Sequence, residues 1–146
     1  MTKYLSIAFV FTLFSFPNNH LSAHCQVPCG VYGDSARFTQ MLEDQTTIAK
    51  AIAQINDLSG KKDAQSANQL ARWVSTKEDH ANKIQKIIAE YFLTQRIKSS
   101  SGKYEDLLKG AHSVMVAAMK CKQGTDSKSS DALKTAIENF QIVYEK

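Results

Sequence analysis

Apolar residues recur every three or four positions over most of the chain after residue 34, a spacing that predicts amphipathic α-helices. The first predicted helix has Asp34 or Ser35 as its N-cap. No segment shows the alternation of apolar and polar residues that marks a β-strand. The four predicted helices cover about residues 35–58, 63–96, 104–122 and 130–144.

Each predicted helix carries one apolar stripe, and short polar loops join consecutive helices. Four such helices predict an all-α fold, an antiparallel up-down four-helix bundle. The stripes comprise Phe38, Met41, Leu42, Ile48, Ala49, Ile52 and Ile55; Ala67, Leu70, Val74, Ala81, Ile84, Ile88 and Tyr91; Leu107, Leu108, Ala111, Met115, Ala118 and Met119; and Leu133, Ile137, Phe140 and Val143.

A polar run at residues 75–80 interrupts the stripe of the second helix. We interpret it as a solvated stretch of a long helix. The alternative is a polar patch that faces the N-terminal segment or a subunit contact. His80, at the end of this run, is interpreted as a surface histidine rather than a metal ligand.

The first 23 residues have the pattern of a removable signal peptide. Lys3 precedes a mostly apolar run at residues 4–16, and Leu21-Ser22-Ala23 leads to a cleavage point, although Leu21 is larger than the small residue preferred there. The run is too short to predict a membrane span, and an uncleaved membrane anchor is the alternative. Cleavage by a signal peptidase or another processing protease would export the domain at residues 24–146 to a periplasm, an organelle lumen or the outside of the cell.

The charge of the processed chain excludes one class of partner. The full chain has 18 basic and 14 acidic side chains, and loss of Lys3 leaves 17 against 14, a net charge of +3. This charge could help a small anion to approach, but it predicts no nucleic-acid partner because no basic stripe with interleaved aromatic residues is present. No stable membrane association is expected after processing.

Residues 24–32, which we call the hook, hold the candidate chemistry. If His24 begins the processed chain, it offers its α-amine and its imidazole, while Cys25 and Cys29 offer two thiolates. The amide between His24 and Cys25 would complete a planar set of two nitrogens and two sulfurs, with the imidazole as an axial ligand. Planar nitrogen-rich sites suit nickel or copper, whereas zinc prefers a tetrahedron.

The order of residues in the hook resembles the N-terminal metal hook of nickel-containing superoxide dismutases. The resemblance implies disproportionation of superoxide through a Ni(II)/Ni(III) cycle, with one nickel per subunit. It also implies a helical bundle that assembles as a homohexamer. The matching positions are His24, Cys25, Pro28, Cys29, Gly30 and Tyr32.

The same resemblance assigns roles to single residues. His24, Cys25 and Cys29 would bind the metal, and Tyr32 would stand over the open face and admit only small anions. Tyr91, followed by Phe92, resembles a second tyrosine that contacts the first.

The chain departs from the family pattern in two respects. Gln26 is neutral where some relatives carry an acid. The family also braces the ligand imidazole with a carboxylate and an arginine, and no motif places them here. Glu43 and Asp44 are candidates for the carboxylate only because they lie in the first helix.

Other interpretations of the hook stay open on sequence alone. Cys25 and Cys29 could form a disulfide, as cysteines of exported proteins often do. The hook could be a metal or redox site without dismutase activity, or an ordinary loop. The alternative function is an exported nickel- or copper-binding bundle without turnover, but Tyr32 favours an enzyme because a store needs no gate. Cys121 is interpreted as a packed or free thiol.

Overall fold

The computed structural model describes residues 33–146, which form helices joined by short loops. The described range contains no strand, so the predicted all-α fold is confirmed. The helices are α1 at Asp34–Leu58, α2 at Ala64–Lys86, a π-helical segment at Ile87–Arg96, α3 at Tyr104–Gln123 and α4 at Ser127–Glu145. The signal peptide predicted at 1–23 and the hook at 24–32 lie outside the described residues.

The helices are arranged as an up-down bundle. α1 packs against α2 and α4, and α3 packs against the same two helices. Consecutive helices therefore run antiparallel as neighbours, which the short loops between them favour. Within residues 33–146, no helix is long and apolar enough to cross a membrane.

Aromatic rings fill the end of the bundle at which α1 begins and α4 ends. The Phe92 ring lies 4.9 Å from Phe38, 5.0 Å from Phe140 and 5.1 Å from Tyr144, measured between centroids. Rings at such distances and inclined to one another gain contact energy beyond that of apolar burial. This aromatic cluster supports the start of α1, which follows the hook in the sequence, and the end of α4.

The start of α2 differs from the prediction. Ala67 and Val74, which were predicted to be buried, are exposed, Val74 by 41%. Lys77, which was predicted to be solvated, is only 4% exposed. Positions 77, 81 and 84 define the buried face of α2. Val74 lies within about 20° of Ala81 around the helix axis, so helix rotation alone does not explain its exposure. Met119 of α3, also predicted to be buried, is 40% exposed.

The predicted second helix changes register at Ile87. From there to Arg96 the hydrogen bonds are π-helical, and the N–H of Ile97 bonds to the carbonyl of Phe92 at 2.9 Å. Extended π-helices are rare and often occur at functional sites. This segment contains Tyr91, the described residue to which the family resemblance assigns a role.

Candidate functional site

The hook joins the bundle at the N-terminus of α1. Gly33 is the N-cap, with extended backbone and no side chain to cap the helix, so the prediction of Asp34 or Ser35 as N-cap is wrong. Asp34 is instead the first helical residue. A carboxylate in the first turn stabilises the positive end of the helix dipole.

Two tyrosines converge on the Asp34 carboxylate. The Tyr91 hydroxyl donates to Oδ1, and the Tyr144 hydroxyl donates to Oδ2 at 2.7 Å. Tyr91 comes from the π-helical segment and Tyr144 from the last turn of α4. One carboxylate therefore ties together three parts of the bundle.

Arg96 completes what we call the Asp34 cluster, which comprises Asp34, Tyr91, Arg96 and Tyr144. The Arg96 Nε lies 2.9 Å from Asp34 Oδ1, and its Nη2 donates to the Tyr91 hydroxyl at 2.9 Å. The guanidinium carbon is also 5.0 Å from the centroid of the Tyr91 ring, within cation–π range. A cation at the centre of the cluster offsets the charge of the half-buried carboxylate.

The π register is what brings Arg96 to Tyr91. The two residues are five positions apart, and in an α-helix they would point about 140° away from each other because each residue turns about 100°. In a π-helix the hydrogen bonds join each residue to the fifth one along, so such a pair lies on one face. The rare backbone conformation and the side-chain cluster therefore require each other.

The cluster holds its groups in fixed protonation states at neutral pH. Burial opposes ionisation of Asp34, but hydrogen bonds from Tyr91 and Tyr144 and the charge of Arg96 outweigh it and lower the pKa of Asp34. Burial and the adjacent carboxylate raise the pKa of Tyr91, and they raise the pKa of Tyr144 well above its ordinary value. Asp34 is thus an anion that accepts hydrogen bonds from two neutral phenols.

A second polar pair lies further along α1. The Asp44 carboxylate is 6% exposed, and its Oδ1 lies 2.6 Å from Nδ1 of His80 on α2. Its other oxygen, Oδ2, is buried and has no hydrogen-bond partner among the residues that the structure describes. A buried carboxylate oxygen without a donor is costly and marks a place where a hydrogen-bond donor fits. The His80 side chain is 23% exposed and contacts Asp44, so it lies partly at the surface and is not freely solvated.

Lys77 shows that the polar run at 75–80 is not simply solvated. Its ammonium donates to the carbonyls of Cys121, Lys122 and Gly124, at 2.8, 2.6 and 3.1 Å. These carbonyls belong to the end of α3 and the loop after it, where helices leave acceptors unpaired. Lys77 therefore caps the C-terminus of α3 from a neighbouring helix.

Cys121 is free and fully buried, as predicted. Burial raises the pKa of its thiol, although a hydrogen bond with Ser129 and the charge of Lys77 oppose the rise. A protonated, buried thiol is a poor metal ligand, because metals bind the thiolate. This supports the interpretation that Cys121 has a packing role.

The structure describes only one residue of the predicted site, Tyr91. Within residues 33–146, no group of three or more histidine, cysteine or acidic side chains could hold a metal ion. Sequence reasoning missed the contacts of Tyr91 with Asp34, Arg96 and Tyr144. Asp44, which the sequence offered only as one of two candidates on the first helix, falls between Met41 and Ile48 on the apolar stripe, and this position signals its burial. The predicted ligands His24, Cys25 and Cys29, and the predicted gate Tyr32, lie outside the described residues.

The donors present fit nickel. Two thiolates, an amine, an amide and an imidazole are available from His24, Cys25 and Cys29, and soft sulfur with nitrogen suits nickel better than hard oxygen ligands would. Asp44 Oδ2, which has no partner among residues 33–146, offers an acceptor for a ligand histidine, whose second ring nitrogen usually donates to a carboxylate or carbonyl. The structure thus defines a small helical bundle, and the donors in its N-terminal sequence fit nickel.

The comparison with protein families gives a specific result. The family model for nickel-containing superoxide dismutase matches residues 19–146, a range that includes the whole hook and the bundle. The chain therefore belongs to the nickel-containing superoxide dismutase family. It is an oxidoreductase that acts on superoxide and uses nickel as its cofactor. The search of curated proteins and the search of solved structures each found no match to the chain.

Proposed function

We propose that this enzyme converts two superoxide anions and two protons into one dioxygen and one hydrogen peroxide at the N-terminal hook. His24 binds the metal through its α-amine and imidazole, Cys25 through its amide nitrogen and thiolate, and Cys29 through its thiolate. The observation that carries the proposal is the family match, since it spans the hook and the bundle together.

Nickel held by these residues would supply the one-electron exchange of the reaction, between its Ni(II) and Ni(III) states. The thiolates of Cys25 and Cys29 and the amide nitrogen between His24 and Cys25 are electron-rich donors. Such donors stabilise the higher oxidation state and so lower the potential into the range of the two superoxide couples. The imidazole of His24 adds a further donor to the oxidised state.

Tyr32 acts as the gate in this proposal. It limits access to small anions, and the mild positive charge of the processed chain favours their approach. Tyr91 contributes from the bundle, where its hydroxyl is held by Asp34 and Arg96. These contacts give Tyr91 a fixed orientation towards the first turn of α1. That helix begins at Asp34, two residues after Tyr32 in the sequence.

Asp44 is the carboxylate that could brace the His24 imidazole. The oxygens of Asp34 already accept hydrogen bonds from two tyrosines and pair with Arg96, whereas Asp44 Oδ2 is buried and finds no partner within residues 33–146. Glu43 is exposed, which disfavours it as a brace. His80 contacts Asp44 Oδ1 and takes the place of the family's arginine in this proposal.

Maturation and assembly complete the proposal. Cleavage after Ala23 would free the His24 amine, and the processed enzyme would act in the compartment to which it is exported. Assembly into a homohexamer is proposed by analogy with the family, and size-exclusion chromatography of the processed protein tests it. Elution of fully active protein at the mass of one chain would contradict that assembly.

Metal analysis combined with a superoxide-decay assay on the processed protein tests the proposed function. We expect one nickel per chain and rapid decay of superoxide. Zinc bound stoichiometrically, with no nickel, in protein from nickel-replete cells would contradict it. Nickel bound without decay of superoxide would instead identify a metal-binding bundle without turnover.

A further inference from the structure

We infer that the segment Ile87–Arg96 is a switch between two helical registers, and that the Asp34 carboxylate, by binding Arg96, selects the π register. The alternative is the α register, in which α2 would simply continue. The Arg96 Nε lies 2.9 Å from Asp34 Oδ1 in the π register. This role goes beyond the proposed function and needs neither the metal nor the hook.

Contacts between residues five positions apart run through the whole segment. Three successive side chains each donate a hydrogen bond to the residue five positions earlier: Thr94 to the carbonyl of Ala89 at 2.7 Å, Gln95 to the carbonyl of Glu90 at 3.1 Å, and Arg96 to the hydroxyl of Tyr91 at 2.9 Å. The first two bonds are exposed, and water competes for their donors and acceptors. Of the three, only the bond of Arg96 is joined to a group on another helix.

The α register is compatible with most of the sequence of the segment. Ile88 and Tyr91 are buried, and at about 100° per residue both would also stay within about 40° of Ile84 in an α-helix. The two registers differ at the end of the segment. In an α-helix Gln95 would lie within about 20° of Ile84, while Ile97 would point about 140° away. The structure instead buries Ile97 and leaves Gln95 half-buried.

Two contacts therefore favour the π register over the usual α-helix. Long π-helices are rare, so side chains must outweigh the preference of the backbone for the α-helix. One contact is the burial of Ile97 in the core. The other is the contact of Arg96 with Asp34 and Tyr91, which the α register would break by turning Arg96 about 140° away from Tyr91. The Tyr91 and Tyr144 hydroxyls hold the carboxylate that Arg96 binds.

Arg37 is the cation that could replace Arg96 in the α register. It lies three positions after Asp34 on α1, a spacing at which helical side chains are neighbours. Its guanidinium carbon is 5.2 Å from the centroid of the Tyr91 ring, and its Nη1 donates to Gln40 at 2.8 Å. A cation is thus already present beside the cluster, so the α register would not leave Asp34 without a positive neighbour.

The double variant Arg96→Met/Ile97→Ala removes both contacts and tests the switch. Crystal structures of the processed protein show which carbonyl accepts the N–H of position 97. In Ile97→Ala alone we expect the acceptor to remain Phe92, because Asp34 still selects the π register. In the double variant we expect it to become Leu93, four positions earlier. The matched control is Ile97→Ala/Lys98→Met, which removes an exposed basic residue and should keep the π register.

Amide hydrogen exchange at residues 92–97 tests the same switch in solution. Arg96→Met and Asp34→Asn should each raise exchange there by about tenfold, and their combination should add little because both remove one ion pair. Retention of the π register in Arg96→Met/Ile97→Ala, or its loss in Ile97→Ala alone, would overturn the inference. Faster exchange at residues 34–40 without a change at 92–97 would also overturn it, since the ion pair would then hold only the start of α1. If the double variant does not fold, the exchange of the two single variants decides.

Discussion

The hydroxyl of Tyr144, in the last turn of α4, donates a 2.7 Å hydrogen bond to the carboxylate of Asp34, the first residue of α1. This contact joins the two ends of the described chain at the junction with the hook. A mixed set of donors, two phenols and a guanidinium, surrounds the same carboxylate. The first residue of α1 is therefore fixed to the bundle by side chains from the π-helical segment and from α4.

Asp34→Asn should destabilise the protein in a pH-dependent way. Because the pKa of Asp34 is lowered in the folded protein, its ionised form contributes stability above its ordinary pKa, about 3.9. That contribution is lost as the pH falls through the pKa that Asp34 has in the folded protein. The difference in urea midpoint between wild type and variant should be largest at neutral pH and vanish in acid.

Asp57→Asn is the control for this pH dependence. Asp57 also lies on α1, but it forms an exposed ion pair with Lys61, and such pairs contribute little. Its urea midpoint should follow that of the wild type at each pH. If the urea midpoints of the wild type and Asp34→Asn differ by the same amount from neutral pH to acid, the assigned role of the carboxylate is contradicted.

Lys77→Met should destabilise the bundle by about 2–4 kcal/mol, because three carbonyls at the end of α3 would lose their common donor in a buried setting. Lys83→Met, at an exposed position of the same helix, should change the stability by less than about 0.5 kcal/mol. Denaturant unfolding at neutral pH measures both. Equal stability of the two variants would mean that the buried ammonium contributes nothing to the cap.

The fold could be predicted well because it depends on local periodicity. The predicted bounds of α1 and α3 differ from those observed by about one residue, and the predicted start of α4 by about three. The change from α2 to the π register could not be predicted, since apolar residues such as Ile87 and Ile88 satisfy both periods.

The sequence predicts a site only where the residues of that site are adjacent, and the hook, which is such a site, lies outside the described residues. The hook is a contiguous motif, whereas the Asp34 cluster joins residues that only the fold brings together. A polar residue on an apolar stripe was the missed signal. Asp44 and Lys77 both occupy buried positions on such stripes, and both have specific partners.

Asp44→Asn should weaken nickel binding by about tenfold or more if Asp44 braces the His24 imidazole, as is typical for groups that orient a metal ligand. The nitrogen splitting in the Ni(III) electron-resonance signal should change as well, because the variant would alter the hydrogen bond to the His24 imidazole. Glu43→Gln, at the exposed neighbouring position, is the control. Identical nickel affinity and splitting in the two variants would exclude Asp44 as the brace.

Cys25→Ser and Cys29→Ser should each abolish dismutase activity, because a single thiolate cannot maintain the low-potential metal site. Cys121→Ser should keep both nickel and activity, since Cys121 is buried in the bundle and its pKa is raised by that burial. Nickel content and superoxide decay measure all three variants. Loss of activity with full nickel in Cys121→Ser would show that this thiol has a role beyond packing.

The most direct test of the account compares two proteins that differ by one residue at the N-terminus. A chain that begins at His24 has a free α-amine, with an ordinary pKa of about 8, which a metal readily deprotonates. A chain that begins at Ala23 has an amide at that nitrogen, and its chelate is out of register. We predict that both fold as bundles by circular dichroism, but that only the chain beginning at His24 removes superoxide when loaded with nickel. Equal superoxide-decay rates for the two proteins would contradict the proposal that the free amine of His24 binds the metal.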